Sequence, residues 1–289
     1  MVKKLTQLYT EARRAIAAVE DVQTAGQMAR ELLCHITGKS RETLLADMEH
    51  YVSEDVCNQL DALVARCIQG EPMAYILGYW DFYGMTLHVN SHVLIPRDDT
   101  CAVTDLALTA AKQLGGTPRI LDLCTGSGCI GLAVAKRVKD ARVTLADVSR
   151  EALAVAKKNV SNLHMTGRVQ CVQADALGKP SAFLGKYDMI ISNPPYITTQ
   201  EMGELDASVK DYEPHLALHG GDDGLDFYRA IAKNYAAALK PGGYLCFEFG
   251  MGQGDAVCAI LEENGYTILE RTRDYNDRER AVLAQWKED

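Results

Sequence analysis

No apolar run in the chain approaches the roughly 18 residues that a membrane-spanning helix requires, so the sequence does not read as a membrane protein. The opening stretch MVKKLTQLYTEARRAIAAVE has an early Lys pair but no uninterrupted apolar core, because charges recur through every turn. It is therefore not a signal peptide, and a cytoplasmic protein is the expectation. No Cys-x-x-Cys pair occurs among the nine cysteines, an odd number scattered from Cys34 to Cys258. That spacing argues against a zinc or redox motif and for reduced, mostly buried thiols. The i,i+4 pairs His88/His92 and His215/His219 lie in a strand-like stretch and a Pro-initiated loop, not on helices, so no metal site is expected. A basic excess is also missing. The net charge is −9 and the pI about 5.3. A tight nucleic-acid binder needs cationic side chains to neutralise phosphates, so this balance argues against nucleic acid as the main partner. There is no internal repeat and no low-complexity tract.

What is present is an ordinary globular composition, 47% hydrophobic and 24% charged, on 289 residues. That length suits two domains, one of them large. Residues 1–72 read as a small bundle of four helices, expected to act as a docking domain. Leu5, Leu8, Ala12, Ile16 and Val19 form one stripe at spacings of three and four. Met28, Leu32, Leu33 and Ile36 form a second, ended by Gly38. Ser40 starts a third helix with Leu44 and Leu45 inward, and Ser53 caps a fourth that stops at Gly70. Residues 73–97 change to aromatic and β-branched character and read as a linker. Within it, MTLHV and HVLI about Asn90 and Ser91 predict a β-hairpin. From residue 98 to 289 strands and helices alternate. The apolar strands RILDLC, RVTLAD, RVQCVQAD, YDMIIS and YLCFEFG predict an α/β domain with a Rossmann-like sheet covered by helices on both faces. TILERTRD and RAVLAQW are close enough to pair antiparallel at its edge.

The chemistry concentrates at strand ends. Asp122, Gly126 and Gly128 lie where the first strand turns into its helix, the place where a doubly wound sheet binds ligands. Asp147 ends the second strand and can accept both hydroxyls of a ribose; Asp175 ends the third, where an adenine amino group would lie. Together these three strand ends suit one nucleoside. The spacing of Gly126, Gly128 and Gly131 also matches a dinucleotide fingerprint, so spacing alone does not choose the cofactor. Asp122 does discriminate: it can meet a cationic amino group but is poorly placed against a pyrophosphate. After the fourth strand comes Asn193-Pro194-Pro195-Tyr196. Two prolines fix a rigid extended turn and donate no N–H, leaving carbonyls as acceptors. The Asn193 side-chain oxygen and the Pro194 carbonyl can receive both hydrogens of a planar –NH₂ group, and Tyr196 can stack on it. Acceptors aimed at those N–H bonds favour positive charge developing on nitrogen, as in methyl transfer to an amide or amino nitrogen.

The whole chain resembles the HemK-type protein-(glutamine-N5) methyltransferases, which modify peptide chain release factors. EPMAYILGYWDFYGMTLHV, VLIPR, DLCTGSGCIGLA, NPPYI and EPHLAL with GGDDGLDFYR carry the resemblance. Asn-Pro-Pro-Tyr alone also occurs in adenine-N6 DNA methyltransferases, and the flanking segments select the glutamine family. The resemblance implies a class I methyltransferase sheet with an antiparallel last strand, and S-adenosyl-L-methionine as methyl donor, released as S-adenosyl-L-homocysteine. It implies cofactor contacts at Thr125, Gly126, Ser127, Gly128, Asp147, Asp175, Ala176 and Asn193. Asn193, Pro194, Pro195 and Tyr196 would hold the substrate glutamine of a Gly-Gly-Gln motif, and class I release factors would dock on the N-terminal helices. The sequence departs from the family pattern at Asp98 and Cys101, where Pro and Glu are usual, and at Cys124, where Gly is usual.

Overall fold

A computed structural model describes residues 2–287. The chain forms two compact units, one up to Gly78 and one from Tyr79 onward.

The first unit opens with a two-residue strand β1 (Lys3–Lys4) and the helices α1 (Leu5–Ile16), α2 (Val22–Thr37) and α3 (Arg41–Ala46). A second short strand, β2 (Tyr51–Val52), pairs antiparallel with β1, which the sequence did not announce. Helices α4 (Glu54–Ile68) and α5 (Met73–Leu77) complete it. Ser40, Ser53 and Gly38 act as the sequence predicts, and Asp21 adds a cap that it did not single out. Asp21, Ser40 and Ser53 each accept backbone N–H groups at a helix start, and Gly38 ends α2 in the left-handed conformation. Leu5, Leu8, Ile16, Leu32, Leu33 and Leu60 fill the core. Two expected core residues lie outside it. Helix α1 stops at Ile16, so Val19 falls in the following turn, 52% exposed. On the six-residue α3 only one position faces inward; Leu44 takes it and Leu45 is 75% exposed.

The second unit begins with a hairpin, β3 (Tyr79–Phe82) and β4 (Met85–His88). This corrects the expected pairing about Asn90 and Ser91. The loop is Tyr83-Gly84, both at positive φ, as the tight turn that matches strand twist demands. At Asn90 the chain instead makes a side-chain turn, with Oδ1 accepting from His92 N at 3.0 Å and the carbonyl from Val93 N at 3.1 Å.

Next come α6 (Cys101–Gln113), β5 (Arg119–Leu123), α7 (Cys129–Arg137), β6 (Arg142–Asp147), α8 (Arg150–Asn162), β7 (Val169–Gln173) and β8 (Tyr187–Ser192). After a long connection holding the short α9 (Ala207–Lys210) follow α10 (Asp226–Asn234), β9 (Leu239–Glu248), α11 (Gly254–Glu263), β10 (Tyr266–Arg273) and β11 (Glu279–Trp286). The sheet order is β10-β11-β9-β8-β5-β6-β7. Strands β5 to β9 run parallel, and β11 is antiparallel to both neighbours. Strand β9 starts before the expected YLCFEFG run: Lys240 to Gly243 form a bulged start, where the register against β8 shifts. One apolar layer joins the sheet to α6, α7 and α8 through Val103, Ala107, Ala133 and Ala156. The other joins it to α10 and α11 through Tyr228, Ile231, Val257 and Leu261. None of the nine cysteines is in a disulfide, and five of them are buried. No described helix is long and apolar enough to cross a membrane.

Candidate active site

The strand order reverses between β5 and β8, which opens a crevice beyond their carboxyl ends. A cavity of about 460 Å³ lies there, within the usual size of a small-molecule site.

The loop after β5 forms its floor. Cys124, Gly126 and Gly128 all take positive φ, and Gly128 is the residue from which α7 starts. At Cys124, where the family pattern has glycine, a side chain in this region costs on the order of 1 kcal/mol. The loop is pinned from below. Asp122 Oδ2 accepts from Thr125 Oγ1 at 2.6 Å and from Gly131 N at 2.9 Å. Thr125 N donates to the Ala146 carbonyl, and Asn159 Nδ2 donates to the Ser127 carbonyl at 2.9 Å. Fully buried Asn159 also exchanges hydrogen bonds with the His88 backbone, tying the hairpin to the loop. Sequence reasoning missed Asn159; its one signal is an amide on the apolar face of α8.

Thr125, Gly126 and Ser127 line the cavity, as do Asp147, Asp175 and Ala176 from the next two strand ends. Asn193 and Pro195 line it from the end of β8. Four expected site residues stand apart from that lining. Gly128 turns the loop into α7, and Asp122 lies beneath it, 1% exposed. Pro194 is buried in the turn, and Tyr196 lines a neighbouring hollow with Gln253. Asp147 holds the loop and the next helix together, accepting from Gly126 N at 2.9 Å and Ser149 N at 3.0 Å. Asp175 makes a turn onto Leu177 N at 2.9 Å and remains exposed. Each carboxylate oxygen can accept a second hydrogen bond, so both retain capacity for a ligand's donors. At the rim, Val148, Leu177 and Leu216 are hydrophobic yet 41%, 47% and 57% exposed, apolar flanks that suit a flat base. Val148 follows Asp147, Leu177 lies two residues after Asp175 and Leu216 belongs to EPHLAL, but nothing in their periodicity marks them.

Two buried polar atoms here have no hydrogen-bond partner among the described residues, Asp122 Oδ1 and Ser127 Oγ. Burial pushes the Asp122 carboxyl up to about 7, opposed by the Thr125 and Gly131 hydrogen bonds. Burial also raises Asp147. Because Asp122 binds its proton more tightly folded than unfolded, its contribution to stability is full below its ordinary value of 3.8 and is lost as pH rises through 7. We expect the ligand-free protein to lose a few kcal/mol between pH 5 and 8, and Asp122→Asn to remove a large part of that slope. Thermal denaturation across this range checks it; an unchanged slope in Asp122→Asn contradicts it.

The Asn193-Pro194-Pro195-Tyr196 turn is held from three sides. Ser192 Oγ donates to the Leu123 carbonyl at 2.7 Å. Gln253 Nε2 donates to the Tyr196 carbonyl at 3.1 Å. Beyond Tyr196, Ile197 and Thr199 hydrogen-bond to Leu218, Gly220 and Gly221. Asn193 Nδ2 donates to Thr100 Oγ1 at 3.4 Å. No described residue hydrogen-bonds Asn193 Oδ1 or the Pro194 carbonyl, so both acceptors are unengaged. Burial pushes the Tyr196 phenol up to about 12, so it stays neutral.

Residues 7–78 match the family model for the PrmC N-terminal domain, and residues 102–211 match the Methyltransferase small domain. A release factor glutamine methyltransferase of Clostridium acetobutylicum is 38% identical over 253 residues, covering 88% of each chain. A second, from Agrobacterium fabrum, is 35% identical over 281 residues, covering 94% of this chain and 96% of that one. A methyltransferase of Pyrococcus furiosus shares the fold with a TM-score of 0.51 at 16% identity, over 78% of this chain and 98% of that one. With one family model matching in each unit and such identity along nearly its full length, the chain belongs to the release factor glutamine methyltransferase family.

Proposed function

We infer that this enzyme methylates the side-chain amide nitrogen, N5, of the glutamine in the Gly-Gly-Gln motif of class I peptide chain release factors. The observation that carries the reading is the pair of unengaged acceptors, Asn193 Oδ1 and the Pro194 carbonyl, on a turn fixed against a cavity with a nucleoside-sized set of acids.

S-adenosyl-L-methionine, when bound, supplies an electrophilic methyl group. The residues present fit it. Asp147 and Asp175 offer acceptors for hydroxyls and an amino group, and the backbone and hydroxyl of Ser127 and the N–H of Gly126 edge the floor. Asp122 places a buried acid with an unpaired oxygen beneath that floor. Asn193 and Pro194 then grip both hydrogens of the substrate amide. An amide lone pair is delocalised and a poor nucleophile, so the two fixed acceptors favour the state in which nitrogen becomes positive. No residue needs to remove a proton first, because the nitrogen becomes acidic only as its new bond forms. We assign to the Tyr196 ring the stacking on the flat amide. We assign residues 1–72 to docking the substrate protein, 73–97 to the connection and 98–289 to cofactor binding and catalysis.

Labelled methyl transfer from S-adenosyl-L-methionine to a purified release factor, with duplex DNA and RNA assayed in parallel, tests the substrate class. We expect label on protein alone. Label on nucleic acid alone, lost steeply with salt, would keep the cofactor and replace the substrate.

A further inference from the structure

Glu248 ends β9, and its side chain is 2% exposed with Oε2 buried and without a hydrogen-bond partner among the described residues. In the parallel register Ser192 is paired with Phe247, so the next residues, Asn193 and Glu248, stand side by side on neighbouring strands. Burial pushes the Glu248 carboxyl up to about 7, opposed by Thr100, Arg280 and Asn193, which favour its ionised form; Thr100 Oγ1 also accepts from Asn193 Nδ2 at 3.4 Å. Arg280 supports the charge from β11 while itself pairing with Asp99 and Asp274 at 3.0 Å. None of these residues was singled out for this role by the sequence, and the mechanism above does not use Glu248.

We propose that Glu248 is a positioning residue that fixes which end of the Asn193 amide faces the substrate nitrogen. This rests on the reading of Asn193 as the substrate acceptor. The two ends of an Asn amide have the same shape, so only the hydrogen-bond network distinguishes them. Ionised, as it is above about pH 7, Glu248 is acceptor-only. It draws the Thr100 hydroxyl hydrogen toward itself, which turns an Oγ1 lone pair toward Asn193. Only the Nδ2 end can donate to that lone pair, so Oδ1 is left for the cavity. With an amide at position 248, Thr100 can accept instead and donate to a flipped Asn193. Its NH₂ would then confront the substrate NH₂, donor against donor.

The test is Glu248→Gln in the full chain, read two ways, with Thr100→Val as a second break in the same relay. Hydrogen exchange of the Asn193 side-chain amide, followed by NMR on Asn-labelled protein, reports the relay without any substrate. We expect a protected Nδ2 proton in the unaltered protein and fast exchange in both variants. In the methyl-transfer assay we expect kcat to fall by about 100-fold, with KM for the cofactor unchanged. Equal protection in all three proteins overturns the proposal whatever the activity, as does an unchanged kcat in a glutamine-active enzyme. If the unaltered protein methylates no glutamine, the substrate reading fails, while the exchange rates still decide the role of Glu248.

Discussion

Asn193→Ala is expected to lower kcat by on the order of 10²–10³-fold, with the fold and the affinity for S-adenosyl-L-methionine largely kept. The magnitude follows from where the residue acts. Asn193 Oδ1 has no other partner among the described residues, so its contribution is reserved for the incoming nitrogen. The interaction strengthens as charge develops on that nitrogen, so its loss falls on kcat more than on KM. The rest of the turn survives the truncation, because Ser192, Gln253 and the 218–221 segment hold it through other atoms. Single-turnover methyl transfer beside a cofactor titration separates the two effects. A loss of only a few-fold contradicts the proposed acceptor.

Gly220→Ala is expected to cost about 100-fold in kcat although the residue bears no functional group. A Cβ there would come within 2.6 Å of the Pro195 carbonyl oxygen and 2.7 Å of Tyr196 Cα. Both are backbone atoms of the reacting turn, which two prolines make too stiff to yield locally. The turn must therefore shift as a body, carrying the Pro194 carbonyl and Asn193 off the substrate. Overpacking of this kind also costs stability, about 1–3 kcal/mol. Thermal denaturation and kinetics on one preparation check it. Wild-type kcat in a folded Gly220→Ala protein would mean that the turn is not held by this contact.

The alternation of strands and helices after residue 98 was legible because each parallel strand is a short apolar run ending in a turn, and the acids at 122, 147 and 175 mark where those runs stop. The caps at Ser40 and Ser53 were legible because capping is local chemistry. The hairpin was misplaced by several residues because Tyr83-Gly84 carries a non-glycine at positive φ, so the turn does not announce itself as Asn-Gly would. Within the site, residues that meet a ligand at strand ends could be read from type and spacing. Those that act through others could not. Asn159, Gly220, Gln253 and Glu248 lie far along the chain from what they hold, and only the sheet order brings Glu248 beside Asn193. The EPHLAL and GGDDGLDFYR segments matched the family before any reason for them was visible; the packing of Gly220 on the catalytic turn supplies one.

The most direct test of the central claim is to incubate the enzyme with S-adenosyl-L-methionine and a purified, unmodified class I release factor, then locate the added methyl group by tandem mass spectrometry. The account predicts one methyl group, on the side-chain amide of the Gln in the Gly-Gly-Gln loop, absent when Asn193→Ala replaces the unaltered enzyme. Methylation at any other residue, or undiminished methylation by Asn193→Ala, would contradict it.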